Sequence, residues 1–296
     1  MKDNVVIIGI TPLTELIFNE EFPELKKISI KPYNITYSKF LPLSLKLLID
    51  APRILSVIWR EHQQLKTIIN DYGVNVVISD NRFGLYNKSV ESIYITHQLN
   101  IKAGLFSGLA NTIHHSFIKQ FNEVWIPDIE NREESLAGEL SYTKTLFYGR
   151  YIGAQSRLKR PLDIKQEFDY LFLISGPEPT RTSFEKDLLH LAEQYSNKKV
   201  AVVRGSKQPA QINFPKNCSF FNMPTALELS GLILSSRTII CRSGYSTLMD
   251  LYALNHQDVI LVPTPGQKEQ EYLADYWQAN KSARYVKQKD LKRLKL

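Results

Sequence analysis

The stretch CRSGYSTLMDL, Cys241 to Leu251, decides how the chain is read. An apolar run, Thr238 to Cys241, stops at Arg242-Ser243-Gly244, and a helical pattern beginning at Ser246 or Thr247 carries Leu248, Leu251 and Leu254 to one face. This is a strand, a tight turn and a helix. In open α/β sheets ligands settle where strands end and helices begin, because free N–H groups and the positive helix end attract anions. A plainer reading of the same residues has Gly244 easing a turn and Thr247 capping the helix.

Outward from this stretch the pattern repeats. Tyr170 to Ile174, Lys199 to Arg204, Phe220 to Asn222 and Asp258 to Val262 read as further strands. Helices are expected at Thr182 to Tyr195, Ala226 to Ser235, Thr247 to Leu254 and Glu269 to Gln278. Ser175-Gly176-Pro177-Glu178-Pro179-Thr180-Arg181 forms a second strand-to-helix loop, although each proline removes an N–H that could face an anion.

The first half shows the same alternation. Asn4 to Gly9 reads as a strand followed by a helix opened by Thr11-Pro12, and Lys27 to Ile35 as a strand leading to a loop with Tyr33 and Tyr37. After Pro52, apolar residues recur at helical spacing as far as Ile69, with Gly73 as the glycine just past the end. Val74 to Ile78 and Ser92 to Thr96 are strands that end in Ser79-Asp80-Asn81-Arg82 and His97-Gln98. If they are parallel, Asp80 and His97 share a sheet edge; alone, each also fits a turn or a structural hydrogen bond. Glu123 to Ile126 is another strand, and the loops at Pro127 to Gly138 and Gly149 to Pro161 read as surface and linker. The fold class expected is α/β, two doubly wound domains, 1–155 and 162–296.

Composition narrows the function. The 296 residues are 43% hydrophobic and 23% charged, enough for two cores, and no apolar run approaches the roughly 20 residues that span a bilayer. The N-terminus lacks a secretory pattern, so a cytoplasmic location is expected. Cys218 and Cys241 read as reduced core thiols. The net charge of +7 is spread along the chain without interleaved stacking aromatics, which argues against nucleic acid. The basic stretch Lys281 to Lys295 fits either a solvated terminal helix or contact with anionic lipid at the inner face of a membrane. His114-His115 lack matching ligands, and no Asp-x-Asp motif is present; Asp128 with Glu130 and Glu167 with Asp169 read as a turn and a strand entry. No metal site and no cofactor is expected.

The second half places Gly176, Met223, Ser243-Gly244, Asp250 and Gln270-Glu271 at or just past strand ends. A nucleotide diphosphate needs such a set: amides and hydroxyls for phosphates, a carboxylate for a ribose diol, amide or carboxylate groups for sugar hydroxyls. Arg242-Ser243-Gly244 through Asp250, then Val262-Pro263 and Gln270-Glu271-Tyr272, resembles the donor domain of the family 28 glycosyltransferases. The best known member of that family adds N-acetylglucosamine to a lipid-linked peptidoglycan precursor. ISDNRFGL, ITHQL, WIPD and GELS in the first half resemble a bacterial branch of the same GT-B superfamily.

The resemblance implies that Asp250 holds the uridine ribose, that Gln270 and Glu271 read the sugar hydroxyls, and that Ser243-Gly244 and Gly176 hold the diphosphate. It implies that His97-Gln98 and Asp80-Asn81-Arg82 are acceptor-side loops. Two departures stand out: Gly176-Pro177-Glu178-Pro179 replaces a Gly-Ser-Gln-Gly loop, and the family's opening Gly-x-Gly-His segment has no counterpart, as if about one β-α unit preceded Asn4. The expected activity is an inverting, metal-independent transfer of a hexose or N-acetylhexosamine from a UDP-sugar to a lipid-linked or glycan acceptor at the bacterial cell envelope. Asp80 or His97 is the expected base, and Arg242 or Arg181 is expected beside the leaving diphosphate. The alternatives are a non-catalytic nucleotide-sugar-binding protein and a sugar-nucleotide epimerase of the same architecture.

Overall fold

The structure is a computed structural model that describes residues 5–12, 14–32, 43–102, 107–142, 149–161, 164–206 and 215–296. The aromatic loop with Tyr33 and Tyr37 lies outside them. Two compact units are formed, Met1–Ile95 with Ile113–Val124, and Thr96–Thr112 with Trp125–Leu296.

In the first unit β1 (Ile7–Ile10) pairs in parallel with β2 (Lys26–Ser29), with the helix α1 (Glu15–Glu21) between them. Thr11 and Pro12 precede α1 rather than open it; the Thr11 N–H donates to the Thr14 hydroxyl, and the helix starts one residue later. The helix α2 (Leu43–Tyr72) runs through Pro52 instead of starting after it. Gly73, at φ +61°, ends it in the left-handed conformation expected. Leu65 and Ile69 of α2 pack with Ile30, Val77 and Leu85 into a small core. The strands β3 (Val76–Asp80) and β4 (Glu91–Ile95) are parallel, with Asp80 opposite Ile95. After α3 (Ser107–Ile118), β5 (Glu123–Ile126) and β6 (Gly149–Tyr151) extend that sheet in chain order.

A third sheet contains β7 (Phe168–Leu173), β8 (Val200–Val203), β9 (Cys218–Phe221), β10 (Ser236–Cys241), β11 (Val259–Leu261) and β12 (Arg284–Tyr285). Its order is β12-β11-β10-β7-β8-β9, and every pair is parallel. Helices α4 (Thr180–Gln194), α5 (Ala226–Leu234), α6 (Tyr245–Ala253) and α7 (Lys268–Asn280) follow the strands. The period of two along each strand sends alternate residues to opposite layers. Leu171, Ile239, Cys241 and Leu261 join α6 and α7 in one core, while Phe172, Ile240 and Ile260 join α4 in the other. A sheet buried on both faces explains the near-continuous apolar strands. Burial also pushes the Cys241 thiol up to about 12 and the Cys218 thiol to about 11, so neither is a reactive nucleophile; Cys218 is only partly buried.

Two readings are corrected here. The loop Pro127 to Gly138 is surface only in its middle: Glu130 to Glu134 are exposed, but Asp128, Leu136 and Ala137 are fully buried, and the last two join Leu140 in the core beneath α6 and α7. The basic C-terminal stretch is not a free helix, because Ala283 and Leu291 are buried, β12 joins the sheet and a 3-10 turn spans Gln288–Arg293. Lys287, Lys289, Lys292 and Lys295 face solvent, while Lys281 donates to the carbonyls of Glu133 and Glu134.

Candidate active site

The strand order reverses between β7 and β10, so the crevice past their carboxyl ends is the switch point where ligands of such sheets bind. Gly176 follows β7 at φ +110°, which a side chain resists. Gly244 follows β10 and caps α6 at φ −72°, ψ 138°, an extended conformation open to any residue. A Cβ placed on Gly244 would meet nothing within 4 Å. Neither backbone conformation nor internal packing therefore requires a glycine here. The helix begins at Tyr245, earlier than the pattern suggested, so Thr247 lies inside the first turn and does not cap it; no side chain does.

Ser243 is buried and donates its hydroxyl to the Gln270 carbonyl at 2.7 Å. The Gln270 side-chain oxygen accepts from the Thr264 N–H at 2.8 Å. These bonds tie the turn after β10 to the start of α7. Glu271 sits beside Lys268 (2.7 Å), and both line a cleft of about 580 Å³ that also holds Thr264, Gly266, Asp275 and Gln288. Asp250 on α6 is partly buried; burial raises its carboxyl above the usual range, opposed by a 2.5 Å hydrogen bond from Ser156 and by Arg157. Met223 follows β9 and is 42% exposed, just before a capping box in which Thr225 and Glu228 close the start of α5.

The two arginines expected beside a leaving diphosphate are engaged elsewhere. Arg242 is 1% exposed, lies 3.8 Å over the Phe184 ring, and donates to the carbonyls of Val262, Pro263 and Thr180 and to Gln288. Burial lowers its guanidinium to about 10, still a cation at neutral pH. Arg181 bonds Glu178, Glu185 and the Arg204 carbonyl, and Glu185 is shared with Arg204. Both brace loops around the switch point, and a direct phosphate contact would require breaking these bonds. The start of α6 adds positive potential near Gly244 to that of the buried Arg242 cation.

His97 lies two residues beyond β4. Its Nε2 is 2.9 Å from Glu269 Oε1, and its ring stacks on Tyr245 with centroids 3.9 Å apart and planes at 12°. The Tyr245 hydroxyl donates to the Pro127 carbonyl at 2.7 Å. Burial and nearby Asp128 raise the Tyr245 phenol far above its ordinary range, so it stays neutral. Asp128 anchors the segment in turn: its oxygens accept from the N–H groups of Ile129, Leu136 and Ala137 and from the Ser135 and Ser141 hydroxyls. WIPD and GELS are thus one structural unit, since Asp128 of the first motif binds Ser141 of the second. Tyr245, Glu269 and Asp128 are the participants that sequence reasoning missed; an acid in the first turn of α7 and an aromatic directly after Gly244 were the available signals.

In the first unit Asp80 is exposed at the end of β3, and Asn81 turns the chain at φ +52°. Arg82 pairs with Glu61, which is 1% exposed, and the Ser79 hydroxyl donates to the Arg82 carbonyl at 2.6 Å. Phe83 stacks on Tyr94 and Phe117. Arg82 and Phe83 therefore build the loop that carries Asp80. Among the described residues no group of three or more His, Cys, Asp or Glu is placed to hold a metal ion, and no helix is long and apolar enough to cross a membrane.

Residues 181–296 match the family described as glycosyltransferase family 28 C-terminal domain. No curated protein matches the chain in sequence. Three solved structures are similar in fold. The spinosyn rhamnosyltransferase SpnG complexed with thymidine diphosphate superposes with a TM-score of 0.64 at 12% identity, covering 97% of this chain and 82% of its own. The glycotransferase of kitacinnamycin gives 0.63 at 12%, covering 96% and 79%. A variant of Os79 from O. sativa in complex with UDP gives 0.63 at 11%, covering 98% and 84%. The protein has the α/β fold of the GT-B glycosyltransferases, and its second half matches the family 28 C-terminal domain.

Proposed function

We propose that the protein is an inverting glycosyltransferase that moves a hexose or N-acetylhexosamine from a UDP-sugar to a lipid-linked or glycan acceptor, on the cytoplasmic side of the bacterial cell envelope. The observation that carries this reading is Gly244: a glycine that neither conformation nor packing demands, over the uncapped start of α6 at the switch point. Space left open there suits a diphosphate, whose charge the helix N-terminus stabilises without a metal ion. The donor domain in this reading spans 162–296 and the acceptor domain 1–155. Asp250 takes the ribose, with Met223 beside the nucleoside, and Gln270 with Glu271 reads the sugar. Gly176, Ser243 and Gly244 frame the diphosphate, braced by Arg181 and Arg242.

In the reaction, the acceptor oxygen forms a bond to the anomeric carbon as the carbon–oxygen bond to the diphosphate breaks. The hydroxyl proton passes to His97 or Asp80, and UDP leaves. The test is UDP release from UDP-N-acetylglucosamine with a lipid-linked diphosphosugar acceptor. Wild type is expected to turn over, and either Asp80→Asn or His97→Ala to fall at least a hundredfold. Full activity in both variants removes the base assignment.

A further inference from the structure

We propose that Glu269 is the positioning residue for His97, holding Nε2 so that Nδ1 is the ring nitrogen presented to the attacking hydroxyl; the inference rests on the glycosyl transfer read above. Two contacts fix the ring, and the chain that carries it is pinned. Glu269 takes Nε2 at 2.9 Å, Tyr245 lies parallel beneath at 3.9 Å, and the chain after His97 is pinned where the N–H groups of Leu99 and Asn100 donate to the Leu140 carbonyl at 2.7 and 2.9 Å. Tyr245 is itself held through its hydroxyl by Pro127.

Glu269 is equally well seated. It stands in the first turn of α7, whose next residue, Gln270, is bonded to both Ser243 and Thr264, and whose later turns bury Leu273 and Trp277. Such support is what a catalytic group needs to keep its geometry. The pair is half-buried, with the His97 side chain 14% and the Glu269 side chain 34% exposed, so the carboxylate is screened in part from water while the ring stays within reach of a ligand. Its consistent use is orientation. With Nε2–H donated to the carboxylate, Nδ1 carries the free lone pair, takes the hydroxyl proton as the new glycosidic bond forms, and leaves an imidazolium facing Glu269. A base oriented by a second group in this way follows the general logic of nucleophile activation.

The experiment combines spectroscopy and kinetics on the full chain. Protein labelled with ¹⁵N-histidine is expected to show a protected Nε2–H correlation for His97, assigned by its loss in His97→Gln. Glu269→Ala should remove that signal and lower the kcat of UDP release from UDP-N-acetylglucosamine at least tenfold, with KM within about twofold. Glu269→Gln, whose side-chain oxygen still accepts Nε2–H, should keep the signal and recover most of the loss. The proposal is overturned if Glu269→Ala retains the signal, or loses it while turning over like wild type. A wild type that shows the signal but releases no UDP refutes the transferase reading and, with it, a catalytic role for Glu269, while the clamp on Nε2 stands.

Discussion

Asp128→Ala removes the acceptor around which the buried segment between β5 and β6 is folded. In the wild type its Oδ1 accepts from the N–H groups of Ile129 and Leu136 at 2.8 and 2.7 Å, and its Oδ2 from the Ser135 and Ser141 hydroxyls at 2.6 Å and the Ala137 N–H at 3.2 Å. The hydroxyls have other partners: Ser141 also reaches the Gly138 carbonyl, and Ser135 accepts from the Gly138 N–H. The amides of Leu136 and Ala137 have none, since both residues are fully buried. Two unsatisfied buried donors cost about 1–3 kcal/mol each, so the loss should be about 4 kcal/mol. With an m-value of about 3 kcal/mol/M for a chain of this size, the urea midpoint should fall by about 1.3 M. Asp128→Asn should cost only about 1–2 kcal/mol, because an amide oxygen still serves Ile129 and Leu136 and the hydroxyls turn to accept from its nitrogen, leaving the Ala137 N–H as the one buried donor without an acceptor. A loss below about 1 kcal/mol for alanine, or equal losses for the two variants, would refute the claim that acceptor geometry holds this segment.

Three substitutions separate ligand from fold. Gly176→Ala forces a side chain into φ +110° and should destabilise by about 1–3 kcal/mol in thermal or urea unfolding. Gly244→Ala should leave stability within about 0.5 kcal/mol, because its Cβ meets no protein atom, yet weaken UDP binding at least tenfold by calorimetry. Asp250→Asn should raise the unfolding midpoint at neutral pH while weakening uridine nucleotides. The folded carboxyl titrates above its ordinary 3.8, so ionising it costs stability as pH rises through the folded value, and the gain from Asn should vanish below about pH 3.8. A midpoint that falls at neutral pH would mean that ionised Asp250 supports the fold.

Much of the architecture was legible because parallel strands buried on both faces announce themselves. Val200 to Val203 and Ile239 to Cys241 have no polar interruption, and both are fully buried. Helix limits were less legible where local signals misled. Pro52 reads as a start, but it lies inside a helix of 30 residues, and Thr247 reads as a cap although the N-cap position is Gly244 and no side chain caps the helix. Polarity misled at Asp128, which sits among acids and reads as a turn, whereas serine hydroxyls and main-chain amides satisfy its buried oxygens. Sequence names residue types at strand ends but not their partners. The charge of Arg242 suggested phosphate, and only the carbonyls of Val262, Pro263 and Thr180 show that its two terminal nitrogens are taken. The pairing of His97 with Glu269, 172 positions apart, had no local signal at all.

The central claim is that the crevice between β7 and β10 binds a uridine diphosphate sugar. Its most direct test is calorimetric titration of the full chain with UDP, UDP-N-acetylglucosamine and ADP, without divalent metal, beside Asp250→Ala and Asp250→Asn, the second of which keeps an oxygen for the Ser156 hydroxyl. The account predicts binding of the two uridine nucleotides, at least tenfold weaker ADP, and loss of uridine binding in both variants. Equal binding of ADP, or unchanged UDP affinity in either variant, would contradict it.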